Sequence, residues 1–163
     1  MTYGGAGEEL ARFADADGNI AEDWHATSEY AFIISGGAVS WSAKHQEVVT
    51  LSTTESEYVS MTHAAKEAVW LCLLILQVFK SILPPTTLFS DNKSAIALAK
   101  DHQYYAHTKH INIHYHFIHW IIEEGKIQLI YCPIEDMIAD VFTKALPSPK
   151  VKHFTYELGL AAV

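Results

Sequence analysis

The chain has 163 residues, of which half are hydrophobic and 18% are charged, a composition that excludes a disordered protein and suffices for one packed domain. The formal net charge of −8 argues against a nucleic-acid-binding protein, unless bound cations neutralise several acids. Cys72 and Cys132 are too few for a disulfide framework, so we expect two buried free thiols in a reducing compartment. The longest apolar run, residues 68–76, is too short to cross a bilayer, and no membrane partner is expected.

The first third of the chain predicts an antiparallel meander of strands. Strand-like runs occupy residues 10–17, 29–35, 38–43 and 46–51. The second and third runs flank Gly36-Gly37, which is typical of a hairpin turn. In the first run, strand alternation places Asp15 and Asp17 on one face. Trp41 alternates with Val39 and is expected to face the core.

The rest of the chain alternates helical patterns with strands. Helices are predicted over residues 52–82, 91–100, 108–124, 135–146 and 150–160, and strands over residues 86–90 and 126–132. The longest helix opens with Ser52 and has Glu55 three residues later, which fits a capping box. Pro84-Pro85 ends it, because proline cannot continue a helix.

This order of elements predicts an α/β fold. We expect a five-stranded mixed sheet, with three antiparallel strands followed by two parallel ones and with helices on both faces. One domain is expected over residues 1–147. Residues 148–163 are expected to form a C-terminal tail that contains the last, weakly held helix.

Four acids lie where separate elements should meet. Asp15 and Asp91 each end an apolar strand, Glu57 lies near the start of the longest helix, and Asp140 is flanked by apolar residues. A single acid is most often a solvated surface group, so only the set is informative. Two Mg²⁺ ions roughly 4 Å apart can hold the attacking and leaving oxygens of a phosphoryl displacement. Four carboxylates from separate elements suit such a site.

These acids lie in stretches that resemble the ribonuclease H domain at the end of the polyprotein of copia-like LTR retrotransposons. The matching stretches, in the family's order, are FADAD at 13–17, GGAVSWSAKHQ at 36–46, LSTTESEY at 51–58, HAAKEAVWL at 63–71, LFSDNKSAIALAK at 88–100, HTKHINIHYHFI at 107–118 and YCPIEDMIADVFTKALP at 131–147. The resemblance implies an RNase H-like fold and hydrolysis of the RNA strand of RNA–DNA hybrids during reverse transcription. It also implies a reverse transcriptase domain in the same polyprotein, and a location in a cytoplasmic virus-like particle or the nucleus.

The family's four acids then fall on this chain as both catalytic residues and ligands of two Mg²⁺ ions, with Mn²⁺ as an alternative metal. They are Asp15, Glu57, Asp91 and Asp140. Glu57 is preferred to Glu55, because the two lie about 200° apart around a helix and the capping box already accounts for Glu55. Asp17 is a reserve candidate on the same strand face as Asp15.

Other polar residues are candidates for contact with the nucleic-acid backbone. They are Lys44, Asn92, Lys93 and Lys109. His107, His110 and His114 are spaced along one helix face and also fit a zinc site, although no cysteine lies nearby in sequence to complete it. The alternative is an exposed, partly protonated helix face.

The chain departs from the family's pattern at several positions. Where the family commonly carries arginine, this chain has His25, Cys72, His107, His114 and His119. Loss of arginine removes bidentate phosphate contacts. Two functions therefore stay open: an active endoribonuclease, which the intact acids favour, or an inactive RNase H-like module that supports a reverse transcriptase or binds nucleic acid, which the missing arginines favour.

Overall fold

A computed structural model describes the backbone of residues 11–17 and 112, together with residues 25–80, 82, 84–101 and 113–160 in full. The side chain of Asp15, and the predictions made for His107, Lys109 and His110, lie outside the described residues.

The described chain forms an α/β fold, as predicted. Its elements are β1 (Ala11–Asp17), β2 (Thr27–Ile34), β3 (Gly37–His45), α1 (Thr53–Phe79), β4 (Thr86–Ser90), α2 (Lys93–Lys100), α3 (Asn112–Glu123), β5 (Ile127–Tyr131), two 3₁₀ helices (Ile134–Asp136 and Ile138–Phe142) and α4 (Ser148–Glu157). The strands pair in the order β3-β2-β1-β4-β5. Strand β2 is antiparallel to β1 and β3, and β4 is parallel to β1 and β5.

Side-chain alternation along β2 separates the two faces of the sheet. Phe32 is buried against the face that α1, α2 and α3 cover. Its neighbours Ala31 and Ile33 point to the other face, where they contact the second 3₁₀ helix and α4. The sheet is therefore covered on both sides, and each side excludes water from a separate apolar cluster.

Helix α1 begins at a capping box and ends at a left-handed residue. The Ser52 hydroxyl accepts a hydrogen bond from the Glu55 N–H, and the Glu55 carboxylate accepts one from the Leu51 N–H at 2.7 Å. The helix ends at Phe79 because Lys80 has a φ of 55°, five residues before Pro84, where the sequence predicted its end. By length and composition α1 would suffice to cross a membrane, but its first half is buried against the sheet, as in a core helix.

Two predicted elements differ from those observed. Residues 46–51 form no strand, because the Gln46 amide is buried and donates to the Ser28 hydroxyl and the Ser56 carbonyl, both at 2.8 Å. Residues 135–146 are not one helix but part of two 3₁₀ helices. Met137 separates them with extended backbone, φ −75° and ψ 95°.

Two side-chain predictions are also wrong. Trp41 is 54% exposed and lies on β3, the edge strand of the sheet, so it does not face the core. Cys132 is buried as predicted, whereas Cys72 is only partly buried.

The predicted tail contains a helix that packs on the sheet. Helix α4 buries Phe154, and Leu158 follows it into the same cluster. The Ala38 N–H donates to the Leu158 carbonyl at 3.0 Å, which ties the end of α4 to β3. The last helix is therefore held more firmly than the sequence predicted.

Candidate active site

The ends of β1 and β4 bring two of the predicted acids to one edge of the sheet. These strands are parallel and Phe13 pairs with Phe89. Two residues further along each strand are Asp15 and Asp91, so their backbones lie at neighbouring positions. Ligands commonly bind at this edge of an α/β sheet, beyond the carboxyl ends of parallel strands.

Asp91 lies between the end of β4 and the start of α2. Asn92 caps α2, since its side-chain oxygen accepts from the Ala95 N–H at 3.0 Å. The next residue, Lys93, places its ammonium 4.4 Å from the centre of the Tyr131 ring. Two of the predicted nucleic-acid-binding residues therefore already have structural contacts beside Asp91.

Glu57 is buried where α1 crosses the sheet. Its side chain lies in the second turn of the helix and is 7% exposed. One turn later, the Ser60 hydroxyl donates to the backbone carbonyl of Glu29 on β2 at 3.3 Å. Because Glu29 pairs directly with Asp15, this contact sets the start of α1 beside the strand that carries Asp15. Glu55, in contrast, is part of the cap.

Asp140 approaches from the other face of the sheet. It belongs to the second 3₁₀ helix, which packs on β1 and β2, and its side chain is only 2% exposed. The Lys144 ammonium lies 2.7 Å from its carboxylate. The residue between Phe142 and Lys144 is Thr143, whose hydroxyl donates to the carboxylate of Glu29 at 2.5 Å.

Glu29 is an acid at this site that the sequence analysis missed. It is fully buried, and its Cα lies directly opposite that of Asp15 in the pairing of β1 with β2. The signal was an acid in the strongly apolar run 29–35, on the same face as Ala31 and Ile33. A buried carboxylate needs hydrogen bonds to be tolerated, and Thr143 supplies one.

The negative charges of nearby acids affect the pKa of the Cys132 thiol. Burial, followed by the charges of Asp136, Asp91, Glu135 and Asp140 in that order, raises the pKa of this thiol to about 11. The Cys132 N–H donates to the Ser90 carbonyl at 2.9 Å, immediately before Asp91. The fields of Asp91 and Asp140 therefore overlap at the ends of β4 and β5.

The donor set fits a hard divalent cation. Buried or half-buried carboxylate oxygens are the ligands that Mg²⁺ and Mn²⁺ take in proteins. Among the side chains that the structure describes, which do not include that of Asp15, no three histidine, cysteine or acidic groups converge on one point. The four predicted acids come from elements that meet at one sheet edge, but the described geometry does not preassemble a cage.

The described histidines of α3 do not form an exposed face. His114 is half-buried, and its ring lies 5.8 Å from that of His63 on α1. His119 is buried against Tyr115, with ring centres 4.1 Å apart. Burial, followed by the charge of Lys66, lowers the pKa of His114, so its imidazole is neutral at neutral pH.

Lys44, which was also predicted to contact the nucleic-acid backbone, is exposed. Its ammonium lies 3.1 Å from the carboxylate of Glu47.

Comparison with known proteins identifies both sequence relatives and fold neighbours. The chain is 36% identical over 152 residues to the retrovirus-related Pol polyprotein from transposon TNT 1-94 of Nicotiana tabacum, and 30% identical over 155 residues to that from transposon RE1 of Arabidopsis thaliana. These alignments cover 92% and 94% of this chain. The chain spans only 11% of the length of either relative. No family model matches it.

The solved structures that match define the fold. LC11-RNase H1 in complex with an RNA/DNA hybrid superposes with a TM-score of 0.55 at 13% identity, over 79% of this chain and 88% of that one. The N-terminal RNase H domain of Rv2228c from Mycobacterium tuberculosis superposes with a TM-score of 0.57 at 13% identity, over 90% and 94%. The fold is RNase H-like.

Proposed function

Because this chain corresponds to a segment of copia-type retrotransposon Pol polyproteins and has an RNase H-like fold, we propose that it is a ribonuclease H that hydrolyses the RNA strand of RNA–DNA hybrids. One observation carries the proposal: the backbones of Asp15 and Asp91 lie at neighbouring strand ends, and the elements that carry Glu57 and Asp140 both pack on β1, the strand of Asp15. A site with acids from four elements suits metal-dependent phosphodiester hydrolysis.

The residues that would hold the metal ions are the four predicted acids. Mg²⁺, or Mn²⁺ in its place, would supply Lewis-acid activation of water and stabilisation of the leaving oxygen. The chain's own contribution is to fix the carboxylates from both faces of the sheet. The position of Glu57 is fixed by α1, which contacts β2 through Ser60. The position of Asp140 is fixed by the second 3₁₀ helix. Burial keeps both side chains from turning into solvent.

The proposed substrate is an RNA–DNA hybrid, the ligand named for one of the fold neighbours. The 2′-hydroxyl is the group that lets a protein distinguish RNA from DNA. We propose that Lys44, Asn92, Lys93 and Lys109 contact the hybrid backbone. The reverse transcriptase domain of the same polyprotein is the proposed partner, and the virus-like particle or the nucleus is the proposed location.

The second candidate function is an inactive RNase H-like module that supports the polymerase or binds nucleic acid. Two observations favour it. The net charge is −8, and His25 and His114 stand where the resembled family commonly carries arginine. A ring nitrogen of His25 is hydrogen-bonded to the Gln46 carbonyl at 2.7 Å, and the ring of His114 lies against that of His63. An imidazole also lacks the paired N–H donors by which an arginine binds a phosphate in a bidentate manner.

The test is cleavage of an end-labelled RNA–DNA hybrid with Mg²⁺ or Mn²⁺, using the parent, Asp91→Asn and Asp136→Asn. Asp136 is a matched control, because it is an exposed acid in the same neighbourhood. We expect the parent and Asp136→Asn to cut the RNA strand, and Asp91→Asn to leave it intact. A folded parent that cuts nothing with either metal would favour the inactive module.

A further inference from the structure

The residues that follow the second 3₁₀ helix supply hydrogen-bond donors to two buried acids. Thr143 donates to Glu29 at 2.5 Å, and Lys144 donates to Asp140 at 2.7 Å. Glu29 lies on β2 opposite Asp15, and Asp140 lies in the 3₁₀ helix that packs on β1 and β2. Two consecutive residues therefore bond to two buried acids, one on the strand next to β1 and one in the 3₁₀ helix that packs on β1 and β2.

The ion pair of Lys144 differs from the surface pairs of this protein. Lys44–Glu47 joins side chains that are 71% and 85% exposed, and Lys126–Glu124 joins side chains that are 42% and 52% exposed at a separation of 4.0 Å. Asp140 is 2% exposed and Lys144 is 28% exposed. A buried carboxylate loses most of its hydration, so an ammonium at 2.7 Å replaces solvation that water cannot provide.

We propose that the Lys144 ammonium is the internal counter-ion of Asp140 in the metal-free protein and is displaced when a divalent cation binds that carboxylate. This inference rests on the proposed metal site. The carboxylates of Glu29 and Asp140 approach the same strand and repel each other unless positive charge lies near them. Lysine suits this role because its charge is compact and its stem is flexible. The exposed 28% of the side chain gives the ammonium a route to solvent.

This arrangement makes Lys144 a positioning residue that acts through Asp140. An ammonium and a metal ion compete for the same carboxylate, since two cations at one oxygen repel each other. The competition lowers the affinity for metal and keeps Asp140 oriented until metal arrives. Removing the positive charge should therefore tighten metal binding and make the metal-free protein less stable.

The experiment measures Mn²⁺ binding by the loss of the free-ion electron paramagnetic resonance signal, with Mg²⁺ added as a competitor. The proteins are the parent, Lys144→Met, Lys144→Arg and Lys126→Met. Lys126→Met is the matched control, because it removes the same charge from an exposed pair. We expect the dissociation constant to fall about tenfold in Lys144→Met and to stay near the parental value in Lys144→Arg and Lys126→Met.

A second readout follows the side chain directly. The ammonium resonance of Lys144, recorded by ¹⁵N-correlated NMR and assigned by its absence in Lys144→Met, should move from a bonded to a solvent-exchanged signal as Mg²⁺ is added. In Asp140→Asn, the substitution Lys144→Met should no longer change the affinity for Mn²⁺, because the two residues act on one another. A purely structural helix contact would change stability without either effect.

Three results would overturn the inference: equal Mn²⁺ affinity in the parent and Lys144→Met, an equal gain in Lys126→Met, or no binding in any variant. Hybrid cleavage is scored separately. A parent that binds Mn²⁺ and shows the Lys144 effect but cuts no hybrid would end the proposed function and leave this inference standing. A parent that cuts the hybrid but shows no Lys144 effect would do the reverse.

Discussion

The first half of α1 buries polar side chains, whereas its second half exposes apolar ones. Ser56, Glu57, Ser60 and Thr62 are each at most 7% exposed. Leu73, Val78 and Phe79, with the neighbouring Ile82, are each more than half exposed. One helix thus reverses the usual distribution at both of its ends, since globular proteins normally bury apolar groups and solvate polar ones.

The reversal at the first half is offset by specific hydrogen bonds. The Gln46 amide reaches the Ser56 carbonyl, and Ser60 reaches the Glu29 carbonyl. Buried polar groups cost stability unless they are bonded. These bonds allow the first half of α1 to bury polar groups next to the strand that carries Asp15.

The second half of the helix lines a cavity of about 430 Å³. Val69, Cys72, Leu76, Pro85 and Trp120 form part of its wall. Contiguous apolar surface of this kind is uncommon on a monomer. The comparison indicates that the two halves of α1 can be altered separately, because the first half carries the proposed site residue Glu57 and the second half forms apolar surface.

The largest expected effect comes from the two glutamates at the start of α1. Glu57→Gln should reduce hybrid cleavage by at least about 10²-fold, because it removes a charged metal ligand from a buried position. Glu55→Gln makes the same chemical change at the cap and should leave cleavage within about twofold. Single-turnover rates on one hybrid measure both, and loss of activity in Glu55→Gln alone would reverse the assignment of the site.

The next effect separates Leu71 from Leu73. Leu71 is 5% exposed and Leu73 is 52% exposed. Leu71→Ala should lower the free energy of unfolding by about 2–5 kcal/mol, because it leaves a cavity in the core. Leu73→Ala should change it by less than about 0.5 kcal/mol. Urea denaturation provides both values, and a large loss at Leu73 would mean that the apolar half belongs to the core.

A smaller effect is expected at Gln46. Gln46→Ala removes the donor to Ser28 and Ser56 and leaves a buried carbonyl without that bond. We expect a loss of about 1–3 kcal/mol in the free energy of unfolding. Glu47→Ala, at the next and exposed position, is the control and should change the free energy of unfolding much less than Gln46→Ala does. Equal losses in the two variants would show that the polar half does not depend on its internal hydrogen bonds.

Periodicity was sufficient to predict the α/β class, the long helix and its capping box, since these depend on residues close in sequence. It failed where contacts across the fold decide the structure. Residues 46–51 have a strand-like composition, but the buried bonds of Gln46 hold this segment out of the sheet. Residues 135–146 have helical spacing, yet a short segment fits a 3₁₀ helix equally well.

The candidate site was predictable only in part for the same reason. The strand-end positions of Asp15 and Asp91 follow from the order of parallel strands, and Glu55 is separated from Glu57 by the cap. Glu29 could not be placed, because its position opposite Asp15 depends on the register of β1 and β2. Lys144 and Asp140 are four residues apart, so the predicted helix would also bring them together. What the sequence could not show is that Asp140 is buried, because this depends on the packing of the second 3₁₀ helix on β1 and β2.

The smallest expected effect is a pH dependence of stability that arises from His63, the residue that follows Thr62 in α1. Burial, followed by the charges of His114, Lys66 and Lys44 and opposed by Glu47, lowers the pKa of His63 to about 4. The unfolded chain, with an ordinary histidine pKa of about 6.5, binds more protons than the folded chain between these values. Stability is therefore fully present above pH 6.5 and declines as the pH falls towards 4.

His63→Gln should flatten this part of the stability profile, whereas His116→Gln, at an exposed position of α3, should leave its slope unchanged. The effect is limited because the His63 ring keeps partial contact with solvent. Urea midpoints measured at intervals from pH 7 to pH 4 test it. Parallel profiles for the parent and His63→Gln would show that His63 has the same pKa in the folded and unfolded chains, and that its titration is not coupled to folding.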